Sequence, residues 1–166
     1  MKLTIELVPS TSWFTNLRSI LTAKEWDTTR GACYQRATFL CEICGGAGST
    51  HPVECHEVWS YKILGKVNVQ TLERTIALCP SCHQVKHMGF AMTQGTQALE
   101  KAATHFMTVN SFTPDRAEFE IEKAFRVHAQ RSKLKWHLDL RWLQNKIWVN
   151  RSKFEERTRG LRILRS

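Results

Sequence analysis

Two cysteine pairs constrain the fold of this chain more than any other feature of its sequence. Cys41 and Cys44 form one C-x-x-C pair, and Cys79 and Cys82 form a second. Each pair can bring two thiolates to one metal ion through a tight turn, and two pairs complete a tetrahedral zinc site. The sequence therefore predicts a structural zinc ion bound by these four cysteines. Such a closed site stabilises the fold and clamps the ends of the segment between the pairs, but it catalyses nothing.

The expected cellular location agrees with metal binding by the cysteines. The N-terminal sequence lacks the apolar core of a secretory signal, and no apolar run approaches the length of a membrane span. We therefore expect a cytoplasmic protein without membrane contact, in which thiols stay reduced. Buried free thiols are the alternative interpretation of the cysteines, and they are what we expect of Cys33 and Cys55, which lie outside the pairs.

Hydrophobic periodicity predicts an α+β fold. Strand-like alternation occurs near both ends of the chain, so that the two terminal strands can pair with each other. We expect one domain over residues 1–143, followed by a basic helix or arm over 144–166 in which Ile147, Trp148 and Phe154 have partly helical spacing. The predicted strands are 2–8, 53–59, 74–79 and 136–143, and the predicted helices are one after residue 12 and those at 26–39, 80–92, 96–108 and 114–132.

The charge of the chain indicates a polyanionic partner. The net charge is +9, and residues 144–166 contain seven lysines or arginines against two glutamates. A basic segment of this kind most often contacts nucleic acid, although a solvated helical face is the alternative. We expect nucleic acid and leave a protein partner open. The side chains expected to contact phosphate are Lys86, Arg151, Lys153, Arg157, Arg159 and Arg162.

Three histidines suggest a second metal site. His83 and His87 are four residues apart in a predicted helix, so their side chains share one face. His56 lies on a predicted strand inside the segment that the cysteine pairs enclose. A strand, a second strand and a helix anchored by zinc would bring His56 to the other two. With seven histidines in the chain, a coincidence of composition is the competing interpretation.

At these positions the chain resembles the HNH, or ββα-metal, nuclease family, in its bacterial and phage branch with four zinc-binding cysteines. The matching segments are CEIC, VECHEV and LCPSCHQVKH, within residues 41–90. The resemblance implies a small zinc-clamped ββα-metal core inside a mostly helical domain with short terminal strands. It also implies metal-dependent hydrolysis of phosphodiester bonds in DNA. In the family the first strand carries a metal ligand followed by a histidine base, and the helix supplies the other ligands.

The family pattern can be aligned with the first strand in two registers. In one, His56 is a ligand together with His83 and His87, and Glu57 takes the place of the histidine base. In the other, Cys55 is the ligand and His56 is the base. The first register fits better because Cys55 and Val58 then occupy its apolar positions. Three imidazoles favour Zn²⁺, Ni²⁺ or Mn²⁺ over Mg²⁺, although supply in the cell can reverse that preference.

Two departures from the family pattern keep an alternative function open. Glu57 stands where the family has histidine, and the family's asparagine is missing near Arg74, where the chain reads Glu73, Arg74 and Thr75. Arg74 or Lys86 is expected to hold the phosphate. The alternative is a catalytically degenerate HNH-like zinc module that binds DNA or a protein partner without cleavage. A third interpretation is a purely structural protein with two zinc ions that acts through a partner.

Overall fold

The computed structural model describes residues 2–13, 16–146 and 149–164, and it has the predicted α+β fold. None of the helices within these ranges is both long enough and apolar enough to cross a membrane. In chain order the elements are a 3-10 helix at Ser10–Ser12, α1 Leu17–Ile20, α2 Ala23–Arg36, β1 Glu54–Leu64, β2 Val67–Leu78, α3 Pro80–Lys86, α4 Met88–Thr93, α5 Thr96–Asn110, α6 Pro114–Arg131, β3 His137–Asp139, α7 Arg141–Gln144 and α8 Arg151–Arg157.

A long β-hairpin forms the centre of the fold. Strands β1 and β2 pair in antiparallel fashion, with His56 opposite Ile76, and a bulge lies between Val58 and Trp59. The hairpin turns at Gly65, whose φ of +60° is a conformation that favours glycine. Strand β3 adds to β2 in parallel, at Val69 to Thr71. Because successive side chains of a strand point to opposite faces, the hairpin packs against helices on both of its faces.

Each face of the sheet has its own core. On one face Ile76 and Leu78 pack with α3, α4, α5 and α6. On the other face Leu72 packs with α1, β3 and α8, and Ala77 packs beside Cys33 of α2. The helix starts follow ordinary capping chemistry: Thr22 and Glu25 form a capping box at α2, and Thr113 caps α6, with Pro114 in its first turn.

The predictions for the two terminal strands were wrong in part. Residues 2–9 form no strand; instead the Glu6 N–H donates to the Lys86 carbonyl of α3, and Asn110 bonds both backbone groups of Leu3. Only His137–Asp139 of the second predicted strand is β-structure, and it pairs with β2 rather than with the N-terminus. The chain turns into α7 directly afterwards, since the Asp139 carboxylate accepts from the Arg141 N–H and folds the backbone back.

The basic C-terminal segment packs onto the rest of the molecule. Phe154 of α8 is fully buried among residues of α1 and β3. Arg157 donates to the Glu25 carboxylate at 2.7 Å, and Leu138 bridges to Ile163 in parallel. Ile147 and Trp148, part of the predicted helical pattern, lie outside the described residues. The segment contains the predicted helix, and its described part contributes to the core.

Replacing Phe154 by alanine should therefore destabilise the whole protein. Truncating a buried phenylalanine typically costs about 3–5 kcal/mol, and urea denaturation will measure the free energy of unfolding. Arg151→Ala is the matched control, since Arg151 is exposed on the same helix and only pairs with Glu155; we expect it to change stability by less than about 0.5 kcal/mol. Equal, small effects of both substitutions would show that α8 does not contribute to the core.

Candidate metal centres

The four paired cysteines meet in one cluster. Their sulfur atoms all lie within 4.8 Å of one another, and the Sγ atoms of Cys44 and Cys79 are 3.6 Å apart. Sulfurs bound to one zinc ion at about 2.3 Å lie roughly 3.8 Å apart in a tetrahedron. The cluster can therefore bind a metal ion such as zinc.

The loop of the first cysteine pair has the backbone of a metal-binding turn. Gly45 has a φ of +73°, and its N–H donates to the Cys41 carbonyl at 2.9 Å. The Cys41 N–H in turn donates to the Gly46 carbonyl, and the Gly46 N–H points at the Cys44 sulfur, at 3.4 Å. The glycines after Cys44 thus supply both the left-handed turn and an N–H directed at a thiolate.

Hydrogen bonds attach this loop to the edge of β2. The Glu42 N–H donates to the Ala77 carbonyl at 2.9 Å, and the Glu42 carboxylate accepts from the Ala77 N–H at 2.7 Å. Because Cys79 directly follows the last residue of β2, the same attachment brings Cys41 and Cys44 to the second pair. A hydrogen bond from the Cys82 thiol lowers the pKa of Cys41 against the opposing effect of burial, which favours the thiolate that a metal requires.

His105 of α5 belongs to the surroundings of this cluster, although no sequence pattern singles it out. Its Nε2 lies 3.2 Å from the Cys82 sulfur. Because His105 lies on a later helix than Cys82, only tertiary packing brings the two together. An imidazole N–H beside a thiolate can stabilise the negative charge of the sulfur.

The three predicted histidines also meet. The Nε2 atoms of His83 and His87 are 3.2 Å apart, and the ligand atoms of His56, His83 and His87 lie within 4.8 Å of one another. Two nitrogens on one zinc ion at about 2.0–2.1 Å would lie roughly 3.4 Å apart. His56 faces α3 from β1, where it pairs with Ile76. His83 lies in α3, and His87 is the residue at which α3 ends and the predicted helix over 80–92 is broken. The His87 N–H still donates to the His83 carbonyl, which keeps the i, i+4 spacing of the two rings. Their geometry is that of a group able to hold a metal ion.

Two carboxylates contact ring nitrogens of the histidines. Glu54 of β1 bonds Nδ1 of His83, and Glu6 Oε2 lies 3.4 Å from Nε2 of His56. A carboxylate on one ring nitrogen orients the imidazole and leaves the other nitrogen available to a metal. Burial, followed by the charge of His56, lowers the pKa of His83, and burial with the neighbouring histidines lowers the pKa of His87 to about 3. These rings are therefore neutral at neutral pH, the form that binds metals.

Glu57 follows His56 in β1 and lines two cavities together with the histidines. It lines a cavity of about 870 Å³ (the main cavity) with His83 and His87, and it lines a smaller adjoining cavity of about 240 Å³ with His56 and His87. One oxygen of Glu57 accepts from the Leu17 N–H at 2.8 Å, at the start of α1. Cys55 lies on the other face of the sheet, where it packs beside Cys33. Of the two registers, the structure thus brings His56 rather than Cys55 to the helix histidines.

Three basic residues expected to contact phosphate have other partners in the structure. Lys86 is buried, with Nζ 2.5 Å from Glu6 Oε1, so it is not the phosphate contact that we predicted. Arg74 lines neither cavity, and its Nη1 lies 3.4 Å from Glu42 Oε1 in the loop of the first cysteine pair (residues 41–46, the zinc loop). The Arg157 guanidinium forms an ion pair with the Glu25 carboxylate. Of the basic residues in the C-terminal prediction, Arg151, Lys153, Arg159 and Arg162 are exposed.

Glu6 is the functional neighbour that sequence reasoning missed. It contacts His56 and Lys86 from an N-terminal segment that was predicted to be a strand. Burial raises its pKa, but the hydrogen bond from His56 and the charge of Lys86 outweigh burial and lower the pKa to about 2. Glu6 is therefore ionised and compensates the buried Lys86. No local pattern signals a contact across 50 residues of sequence.

Comparisons of the chain with protein-family models, with curated proteins and with solved structures gave no significant match. The chemistry of the two clusters has to be derived from their own residues.

Substituting serine for Cys79 should remove the metal from the four-cysteine cluster. The change should also destabilise the fold, because the zinc loop and α3 would lose their common anchor. The zinc content, measured by atomic spectroscopy, should fall by one ion per chain, and thermal unfolding should shift to a lower temperature. Cys33→Ala is the matched control, since Cys33 is a buried thiol outside the cluster. A fully folded, zinc-free Cys79→Ser protein would contradict the structural role of the cluster.

Proposed function

We propose that this protein is a metal-dependent nuclease that hydrolyses phosphodiester bonds of nucleic acid. The observation that carries the proposal is the convergence of His56, His83 and His87 between two cavities that Glu57 also lines. The same four residues correspond to the metal ligands and the base in the HNH pattern that residues 41–90 resemble. DNA is the substrate that this resemblance favours.

The donor set fits a second divalent metal ion. Three imidazoles, two of them with a carboxylate on one ring nitrogen, favour Zn²⁺, Ni²⁺ or Mn²⁺, whereas Mg²⁺ prefers oxygen ligands. His56, His83 and His87 would hold the ion. When bound, it would supply positive charge to the scissile phosphate and to the leaving 3′ oxygen.

Glu57 is the general base in this proposal. Glu57 lines the same cavities as the ligands, and in this proposal its carboxylate accepts a proton from a water molecule that attacks the phosphate. The bond from the Leu17 N–H fixes the orientation of the carboxylate. Since Arg74 and Lys86 contact other residues, the metal ion would be the main partner of the scissile phosphate.

The non-cleaving zinc module is the second candidate, and one observation favours it. Among the described residues that line the main cavity, there is no lysine or arginine, whereas phosphate-binding sites usually contain them. A protein of this kind would bind DNA or a protein partner and leave the backbone intact. Incubation with supercoiled plasmid in the presence of several divalent ions separates the two candidates.

Substitutions at three consecutive residues of β1 test the roles of the site. His56→Ala should lose the second metal and the nicking of plasmid together, because a ligand holds the ion. Glu57→Gln should keep the metal and lower the nicking rate by at least about 100-fold, because a base only moves a proton. Cys55→Ala is the control and should keep both properties. Metal content and initial nicking rates are the two measurements.

Other outcomes of this set would each contradict one part of the proposal. Metal loss in Cys55→Ala with retention in His56→Ala would mean that the second register is the right one. Unchanged nicking in Glu57→Gln would remove Glu57 as the base. No nicking by the wild-type protein with any ion, together with tight DNA binding, would select the non-cleaving module.

The exposed basic residues near the C-terminus should raise affinity without setting sequence specificity. We expect replacement of Lys153, Arg159 and Arg162 by serine to weaken DNA binding and to make the plot of log affinity against log salt less steep. The slope should change by up to about 0.9 for each duplex phosphate that the variant no longer neutralises. Binding titrations at several salt concentrations measure this slope. Replacement of three exposed basic residues of α6, Arg116, Lys123 and Arg126, is the charge-matched comparison. Equal effects of both sets would mean that only net charge matters.

A further inference from the structure

The main cavity beside the histidines has aromatic walls that the proposed hydrolysis does not use. Trp13, which precedes α1, is 62% exposed, and Phe90 of α4 is 61% exposed; both line the cavity together with Phe125. These three side chains come from different parts of the chain and line the same cavity. Flat apolar surfaces of this kind bind other flat, weakly polar groups.

The charges of the cavity restrict which part of a nucleic acid can enter it. The described lining contains three glutamates and no lysine or arginine. Glu6 is compensated by Lys86, and Glu54 is bonded to His83. Arg131 lines the smaller cavity instead, with its guanidinium carbon 4.1 Å from the centroid of the Tyr61 ring. A sugar–phosphate backbone would therefore find little positive charge in the main cavity apart from a bound metal, whereas a neutral base suits its walls.

The size of the cavity fits unpaired nucleotides. A volume of about 870 Å³ lies near the upper end of the roughly 300–1,000 Å³ found for small-molecule sites. A base in an intact duplex is stacked and paired, and it has to leave the helix before it can occupy such a cavity. A base in a single strand is already free to do so, and it stacks readily on aromatic side chains.

We propose that the substrate of this site is single-stranded or locally unpaired nucleic acid, whose bases stack on Trp13 and Phe90 while the adjacent phosphate faces the histidines. The inference rests on the proposed nuclease function for the nature of the ligand. Binding of the bases is nevertheless separate from cleavage, because neither aromatic residue belongs to the metal ligands or to the base.

The test compares a labelled, short single-stranded oligonucleotide with a duplex of the same sequence. Affinities are measured by fluorescence anisotropy on the full chain, loaded with zinc and manganese, in a Glu57→Gln background that suppresses turnover. We expect the single strand to bind at least about tenfold more tightly than the duplex. Trp13→Ala and Phe90→Ala should each weaken single-strand binding about tenfold, the range found for stacked bases. Phe119→Ala is the matched control, since Phe119 is an exposed aromatic of α6 outside the cavity.

Each remaining outcome decides the matter. Tighter binding of the duplex, no binding of either nucleic acid, or equal effects of Trp13→Ala and Phe119→Ala would overturn the inference. Cleavage assays on the same oligonucleotides, with Glu57 restored, distinguish its failure from failure of the proposed function. Duplex cleavage that is insensitive to Trp13→Ala would support the nuclease function and contradict the stacking site. Single-strand binding that depends on Trp13 and Phe90, without any cleavage, would support the stacking site and contradict the nuclease function.

Discussion

The attachment of the zinc loop to the end of β2 is the constraint on which the rest of the site depends. Glu42 bonds both backbone groups of Ala77, and Cys79 follows two residues later. This arrangement fixes where α3 begins, because the helix starts at Pro80, directly after Cys79 of the four-cysteine cluster. A seven-residue helix is too short to be stable by itself in water. Its position therefore comes from tertiary contacts, and the sulfur cluster supplies them at its first turn.

A second constraint acts at the other end of the same helix. Lys86 is buried, and an unpaired ammonium group in that position would be strongly destabilising. Glu6 and Thr4 of the N-terminal segment satisfy it, and the Glu6 N–H also donates to the Lys86 carbonyl. Glu6 reaches His56 as well. The Glu6–Lys86 pair thus does more than compensate charge. It attaches the N-terminal segment beside the histidine cluster, where Glu6 limits the rotation of the His56 ring.

The sequence predicted the parts of the molecule whose signals are local. Cysteine spacing identified the four-cysteine cluster, the i, i+4 spacing paired His83 with His87, and Thr113 with Pro114 marked the start of α6. The errors concern contacts between distant segments. Alternating residues near the N-terminus resemble a strand, yet their partners are α3 and α5 rather than a sheet. Lys86 looked like a phosphate contact because nothing in its neighbourhood reveals that Glu6 lies beside it.

The short helix α3 connects the two clusters, because it carries residues of both. Cys82 and His83 are adjacent in α3, so the first turn belongs to the sulfur cluster and the next positions belong to the histidine cluster. His56, by contrast, is fixed by the pairing of β1 with β2, which does not require a metal. Loss of metal from the cysteines would therefore move two histidines and leave the third in place. Metal binding at the histidine site should then weaken, even though none of its histidines has changed. The free energy needed to order α3 would be subtracted from the free energy of metal binding.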